Sequence, residues 1–402
     1  MSNEQSIEKR WAIISLASVP LIMTLGNSML IPILPVMEKK LDISSLQSSY
    51  IITVYSIVAI LFIPIAGYLS DRYGRKIVIV PALILTGIGG LIAGFAAWKM
   101  EQAFTVILIG RILQGIGASG AMPIVLPLVG DMFRRDNEAS ATLGIIETSN
   151  TIGKVLSPIL GSALAAIVWF LPFFSIPVFC TISVLMILFL IKNKKENDDK
   201  PMPFKEYWGQ IKDVFREHKR WLIAIFLIGA ILMFILFGFL FYLSNTLEDK
   251  FDFKGIKKGL LLAIPLLALS IASYITGRKI ASRLRLMKWI TFTGIVLAGC
   301  SVAVISFMDH FIYLIIIFLV CGIGIGMALP CMDSLITESL DKNVRGAVTS
   351  IYSSMRFIGV AAGPPVIAVL MKQNIFWMVS LLTIFALGAG FLAFRNIDPE
   401  KE

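Results

Sequence analysis

Charge is scarce in this chain and histidine is nearly absent. Charged residues make up 15% of 402 positions, where a soluble protein of this length carries about a quarter. The two histidines, His218 and His310, fall at loop positions, which excludes a histidine proton relay or a metal cluster. The four cysteines, Cys180, Cys300, Cys321 and Cys331, all fall in apolar runs. Cys321 and Cys331 stand about 15 Å apart along a helix, too far to bridge, so all four read as small packing residues. No zinc-protease helix motif, nucleophile elbow or phosphate-binding loop occurs, which argues against an enzyme and against a nucleotide-driven pump. No cofactor is expected.

What the chain has instead is long apolar runs. Crossing the hydrocarbon core takes about 20 apolar residues in a helix. Trp11–Met37, Ile43–Ser70, Ile77–Trp98, Trp221–Leu247, Trp289–Met308 and Phe311–Met332 meet that length without a charge. Gly259–Gly277 and Asn374–Phe394 extend the series, and a run to Ile191 breaks near Trp169–Pro172 to give a further helix at Pro172–Ile191. Three more spans contain charge: Gln102–Gly130 with Arg111, Ala139–Val168 with Glu147 and Lys154, and Ala347–Met371 with Arg356. Twelve spans result. They are expected to be helices, because backbone amides in lipid must be satisfied within a segment or in a closed barrel, and the short alternation of barrel strands is missing. The first run is too long for a signal-peptide core and reads as a permanent span.

The net charge of +10 is distributed by side. With the N-terminus inside, inner segments hold 25 Lys and Arg and outer loops hold 8. This asymmetry is the positive-inside rule. The basic balance therefore reports topology and contact with anionic inner-leaflet lipid, not nucleic acid. The expected location is a bacterial cell membrane, with both termini cytoplasmic.

The longest inner segment divides the spans six and six, giving helical bundles at residues 1–191 and 221–402 with a linker at 192–220. Within the linker, Phe204, Tyr207, Trp208, Ile211, Val214 and Phe215 have helical spacing. An amphipathic helix on the inner leaflet and a soluble linker helix both fit. The halves repeat. Gly115-Ile-Gly-Ala-Ser-Gly-Ala-Met-Pro123 matches Gly322-Ile-Gly-Ile-Gly-Met-Ala-Leu-Pro330 at an offset of 207, and Gly153-Lys-Val-Leu-Ser-Pro158 matches Gly359-Val-Ala-Ala-Gly-Pro364 at 206. Two bundles rocking about a midplane site are a common way for secondary transporters to alternate access.

Between the second and third spans stands Gly67-Tyr-Leu-Ser-Asp71-Arg72-Tyr-Gly74-Arg75-Lys76. This string closely resembles the signature loop of the major facilitator superfamily, in which it acts as a conformational latch. A weaker echo, Gly277-Arg-Lys-Ile-Ala-Ser-Arg283, lacks the acid. In the fourth span, Gly110-Arg111-Ile-Leu-Gln114-Gly115 is similar to a motif of drug:proton antiporters whose arginine is linked to proton transfer. An arginine snorkelling to the interface is the competing reading. The fifth span holds Gly144, Gly153, Pro158 and Gly161, similar to the glycine- and proline-rich motif of the exporting branch, with Ser157 and Ser162 where that branch prefers glycine. Gly359, Gly363 and Pro364 repeat it. Such small residues are expected to let the fifth and eighth spans pack closely. The resemblance implies twelve transmembrane helices in two six-helix bundles related by pseudo-twofold symmetry, working as a monomer, with the proton gradient as energy source and multidrug resistance among the functions of relatives.

Ionisable groups inside a membrane usually mark ion or substrate paths. Glu147 is the first candidate for the coupling proton, with Arg111 holding it ionised in one state, and Asp333 is the second. Lys154, seven residues from Glu147, reads either as a cavity charge or as its structural ion-pair partner. Asn150 lies between them and aligns with Arg356 across the repeat. Asn27 is the one strongly polar side chain deep in the first span, which holds no acid. Three cations against two acids suit an anionic, zwitterionic or neutral substrate as well as a cation. The expectation is a proton-coupled exporter of a small-molecule substrate. Uptake of a small anionic or neutral solute, and a channel or receptor, are the alternatives. Cysteine introduced at Asp198 should resist impermeant labelling from outside intact cells, and cysteine at Asp252 should react; labelling of position 198 would reverse the topology.

Overall fold

The computed structural model describes residues 3–132, 136–191, 209, 212, 215–216, 218–280, 283–307, 310–340 and 342–397. Among the described residues it is all helix, and twelve helices are long and apolar enough to span a membrane. They are α1 (Asn3–Ser28), α2 (Ser45–Tyr73), α3 (Arg75–Lys99), α4 (Ala103–Met132), α5 (Asp136–Ile167) and α6 (Leu171–Leu190), then α7 (Lys219–Asp249), α8 (Gly255–Ile280), α9 (Leu284–Ala303), α10 (Phe311–Ser339), α11 (Lys342–Gln373) and α12 (Ile375–Asn396). The face where α1 and α7 begin is the terminal face, and the opposite one is the far face. Phe204, Tyr207, Trp208, Ile211 and Val214 of the expected amphipathic linker helix lie outside the described residues.

The first span is not the single helix its apolarity suggests. α1 stops at Ser28, a 3-10 turn follows at Ile31–Ile33, and a short helix runs over Leu34–Leu41. Pro32 and Pro35 sit at the first positions of these two pieces. A proline has no amide proton for the preceding turn, so it starts helices readily and interrupts them from within. Pro172 likewise opens α6, where the break in the long apolar run was expected. Ser44 and Gln47 close a reciprocal capping box at the start of α2, satisfying donors that a helix start leaves free. The ninth span begins earlier than its apolar run: α9 starts at Leu284 and takes in Arg285 and Lys288, because long basic side chains tolerate the interface.

The two halves pair their helices identically. Helix α1 packs on α5 and α6, as α7 packs on α11 and α12. Helix α4 packs on α2 and α3, as α10 packs on α8 and α9. Contacts between the halves follow the same symmetry, α2 against α11 and α8 against α5. The repeated glycines explain why. A Cβ on Gly115 would stand 2.5 Å from the Tyr55 carbonyl oxygen of α2, and one on Gly322 would strike the Pro265 carbonyl of α8. Two residues on, Gly117 meets Ala82 and Thr86 of α3, while Gly324 meets Gly294 and Ala298 of α9. One sequence string thus builds the same three-helix junction twice.

Gly115→Ala and Gly322→Ala should each lower the melting temperature of the detergent-solubilised protein, by the equivalent of about 1–3 kcal/mol for overpacking. Gly388→Ala, whose Cβ would meet nothing within 4 Å, should be neutral or raise it slightly through helix propensity. Equal behaviour of the three variants would rule out the close-approach explanation.

Candidate functional site

Arg111 is fully buried in α4. Gly110 brings α3 to within touching distance on one side and Gly115 brings α2 on the other, so the guanidinium reaches groups that bulkier neighbours would hold away. Its Nε donates to the Ile51 carbonyl at 2.7 Å, Nη1 to Gln114 Oε1 at 2.6 Å and Nη2 to Asn27 Oδ1 at 2.7 Å. Its carbon lies 4.4 Å from the centroid of the Tyr55 ring. Asn27 belongs to the last turn of α1, whose negative dipole end also favours a cation. Snorkelling is therefore excluded. In this structure Arg111 is satisfied by neutral oxygens and a π face rather than by Glu147, and its planar fork ties α1, α2 and α4 together. The Nε2 of Gln114 is buried with no hydrogen-bond partner.

Glu147, Lys154, Asp333 and Arg356 do come together, from α5, α10 and α11. Lys154 lies within electrostatic reach of Glu147, Arg356 and Asp333. Arg356 Nη1 stands 3.4 Å from Asp333 Oδ1, with side chains 22% and 42% exposed. Glu147 is exposed, and its oxygens accept from Asn150 Nδ2 at 3.2 and 3.4 Å. Asn150 Oδ1 in turn accepts from Thr24 Oγ1 of α1 at 2.6 Å. No ion pair links Glu147 directly to Lys154 among the described residues, although seven residues place them on one face. The fifth member is Tyr352 of α11, which the sequence reading missed. Its ring lies 5.6 Å from the Arg356 guanidinium and 6.2 Å from Phe226, and its hydroxyl is buried without a partner. A tyrosine set between Ile351 and Ser353 in a helical run gives no sequence signal of its own. The only hint is its place one turn before Arg356. Across the halves, Tyr55 of α2 lies 6.4 Å from Phe357 of α11. The arrangement gathers two acids and two cations from both halves, beside a tyrosine hydroxyl that has no hydrogen-bond partner.

At the terminal face Gly74 alone joins α2 to α3, with φ 101°, a conformation glycine adopts without a Cβ penalty. A Cβ on Gly67 would stand 3.9 Å from Ser350 Oγ of α11, ordinary van der Waals contact. Asp71 pairs with Arg75 at 2.5 Å, and Arg75 also donates to Ser70 Oγ at 2.9 Å. Lys76 and Arg72 are engaged elsewhere. Lys76 donates to the carbonyls of Ile191 at 2.6 Å and Leu188 at 3.2 Å, at the end of α6, and Arg72 reaches the Tyr68 hydroxyl at 3.4 Å. Of the three cations in this loop, the acid's ion pair is with Arg75.

The small residues of α5 divide between two neighbours. Gly153 and Gly161 face α1, at Leu21 and Met29, and not α8 as their motif suggested. It is the Pro158 carbonyl and Ser162 that meet α8, at Gly259. In the second half Gly359 and Gly363 face Ala230 and Phe234 of α7, with Pro364 in the same helix. A Cβ on Gly144 would meet nothing.

The Major Facilitator Superfamily profile matches residues 16–364. The Bacillibactin exporter of Bacillus subtilis (strain 168) is 52% identical over 391 residues, covering 97% of each chain. Multidrug resistance protein 2 of the same organism is 23% identical, covering 95% of this chain and 94% of its own. Among solved structures, a bacterial homologue of the human lysosomal transporter Spinster, inward-facing and unoccupied, superposes with TM-score 0.77 at 13% identity, over 97% of both chains. The human organic anion transporter MFSD10 (TETRAN) gives 0.74 at 17% identity, over 96% of this chain and 99% of its own.

Arg111→Lys keeps the charge but loses the fork, and each buried acceptor left unpaired costs about 1–3 kcal/mol. The variant should melt earlier than the wild type by several degrees in detergent. Wild-type stability with transport lost would instead assign Arg111 to the transport step alone.

Proposed function

The chain belongs to the Major Facilitator Superfamily, and from that premise we propose that it exports bacillibactin, or a molecule closely similar to it, by alternating access in exchange for protons. That it is a membrane transporter exporting small molecules, and not an enzyme, follows from the family and the near full-length relatives. The observation that carries the substrate is the 52% identity to the Bacillibactin exporter, sustained over 97% of both chains. At that level the cavity linings of the two proteins are expected to be largely shared.

Coupling rests on the cluster of Glu147, Lys154, Asp333 and Arg356. A carboxylate in a partly dry cavity binds a proton more readily than in water, and a neighbouring cation opposes this. Glu147 has Asn150 for a hydrogen-bond partner and exposure to exchange its proton, so it is the first acceptor. Asp333 is the second, held by Arg356. Moving the two halves apart changes the distance between α5 and α11, and hence the field that Arg356 and Lys154 exert on Glu147. Residues 1–191 and 221–402 are the rocking units, with 192–220 between them. The terminal face is cytoplasmic, as the basic residues favour. Asp71 with Arg75, Gly67 and Gly74 form the latch of the first unit, and Arg111 with Asn27 and Gln114 stiffens it.

The test uses proteoliposomes with an imposed pH gradient and bacillibactin as solute. The wild type should accumulate it against its gradient, and dissipating the pH gradient should stop accumulation. Glu147→Gln should lose the response to pH while keeping bacillibactin exchange. Asp333→Asn with the same phenotype, and Glu147→Gln coupled normally, would move the proton to α10. Absence of bacillibactin transport in the wild type would overturn the substrate.

A further inference from the structure

The far face is closed by charges that the central cluster does not use. Glu248 Oε1 accepts from Lys39 Nζ at 2.9 Å, and Glu248 Oε2 accepts from Lys258 Nζ at 2.8 Å. Lys39 also stands 3.5 Å from Asp249. Glu248 and Lys258 are 3% and 2% exposed at their side chains, whereas Lys39 is 58% exposed. Lys39 belongs to the short helix after α1, in the first half of the chain. Glu248 ends α7 and Lys258 begins α8, both in the second half. The Lys39–Glu248 bond therefore crosses between halves.

Helix electrostatics does not explain these positions. An acid in the last turn of α7 faces the negative end of that helix dipole, and a lysine in the first turn of α8 faces the positive end of its own. Each is placed against its helix and is stabilised by its partner. Burial makes the pairing obligatory, since either charge alone would be left uncompensated in a dry site. The pair Glu248–Lys258 is neutral by itself and stays whole if Lys39 leaves. Lys39, largely in water already, loses little on leaving. Beside it, Ser244 Oγ of α7 donates to the Ile31 carbonyl at 3.0 Å, a second bond across the same seam. In the central cluster, by contrast, Glu147 is exposed and the Asp333 side chain is 42% exposed, so burial of the charges is a feature of the far face.

We propose that Lys39 and Glu248 form an ionic gate on the far face, broken once in each transport cycle, with Lys258 as the positioning residue that keeps Glu248 charged and aimed at Lys39. The proposal rests on alternating access but not on the identity of the substrate or on proton coupling.

The test is labelling of Ser244→Cys by a membrane-impermeant maleimide added at the far face, in a background with Cys180, Cys300, Cys321 and Cys331 changed to serine or alanine. No substrate and no pH gradient are present, so the outcome is independent of the transport assay. Lys39→Ala should raise the labelling rate by roughly threefold to tenfold, the equivalent of a charged hydrogen bond weakened by solvent. Lys39→Arg should restore slow labelling. Raising the salt concentration should accelerate labelling in the Lys39 protein and leave the Lys39→Ala protein unchanged. Glu248→Gln/Lys258→Met removes the buried pair together, leaves no lone buried charge, and should label as fast as Lys39→Ala. Unchanged labelling in Lys39→Ala or in this double variant would overturn the proposal.

Discussion

In hydrocarbon an apolar helix gains nothing by leaving lipid for another apolar helix. Association must come from close van der Waals contact and from polar groups that find partners. Close backbone approach is thus the constraint on which the rest of this structure depends. Gly115 and Gly117 press α4 onto α2 and α3, and Gly322 and Gly324 do the same for α10. Gly153 and Gly359 seat α5 on α1 and α11 on α7. The Arg111 site exists because of this approach. Only with α2 drawn in by Gly115 does the Ile51 carbonyl come within 2.7 Å of the guanidinium.

Charges then occupy what close packing leaves. One group, from α5, α10 and α11, lies toward the terminal face and is partly open. The other, Lys39 with Glu248 and Lys258, closes the far face. Both draw members from the two halves. An exporter must never be open at both ends, and interactions that straddle the seam at opposite ends are a direct way to make the two openings exclude each other. The neutral oxygens around Arg111, by contrast, all come from the first half, as suits a group that travels with its bundle.

The fold was legible because its signals are long and redundant: apolar length, basic asymmetry and a repeat of whole strings. The resemblance of the loop at 67–76 then named the architecture. The details that escaped are those decided by single atoms or by rotation about a helix axis. The break of the first span follows from Pro32 and Pro35, yet in a run this apolar prolines inside helices are also tolerated, as Pro20 is. Gly153 and Gly161 lie on the α1 side of α5, and a glycine count does not tell one side from the other. The motif marks Arg111 but leaves burial and snorkelling open, and the partners that decide between them, Asn27 and Ile51, come from other helices. Glu248 and Lys258 lie just outside the apolar runs, at helix ends, where a charge is ordinary, and Tyr352 stands in a serine-rich stretch that points to no partner. Depth along a helix is written in the sequence, and direction around it is written mainly in the neighbours.

The joint at Gly74 has a mechanical meaning. Helices α2 and α3 are separated by one residue, and that residue is in a conformation with positive φ. Such a link has no slack, so one helix cannot tilt without dragging the end of the other. Lys76 pins the start of α3 to the last carbonyls of α6, and Gly67 rests α2 against α11. A push from the second half at Ser350 therefore enters α2, turns the corner at Gly74 and arrives at α6, with no flexible segment to absorb it. The terminal-face end of the first half behaves as a rigid crank, and displacement rather than chemistry is what it transmits.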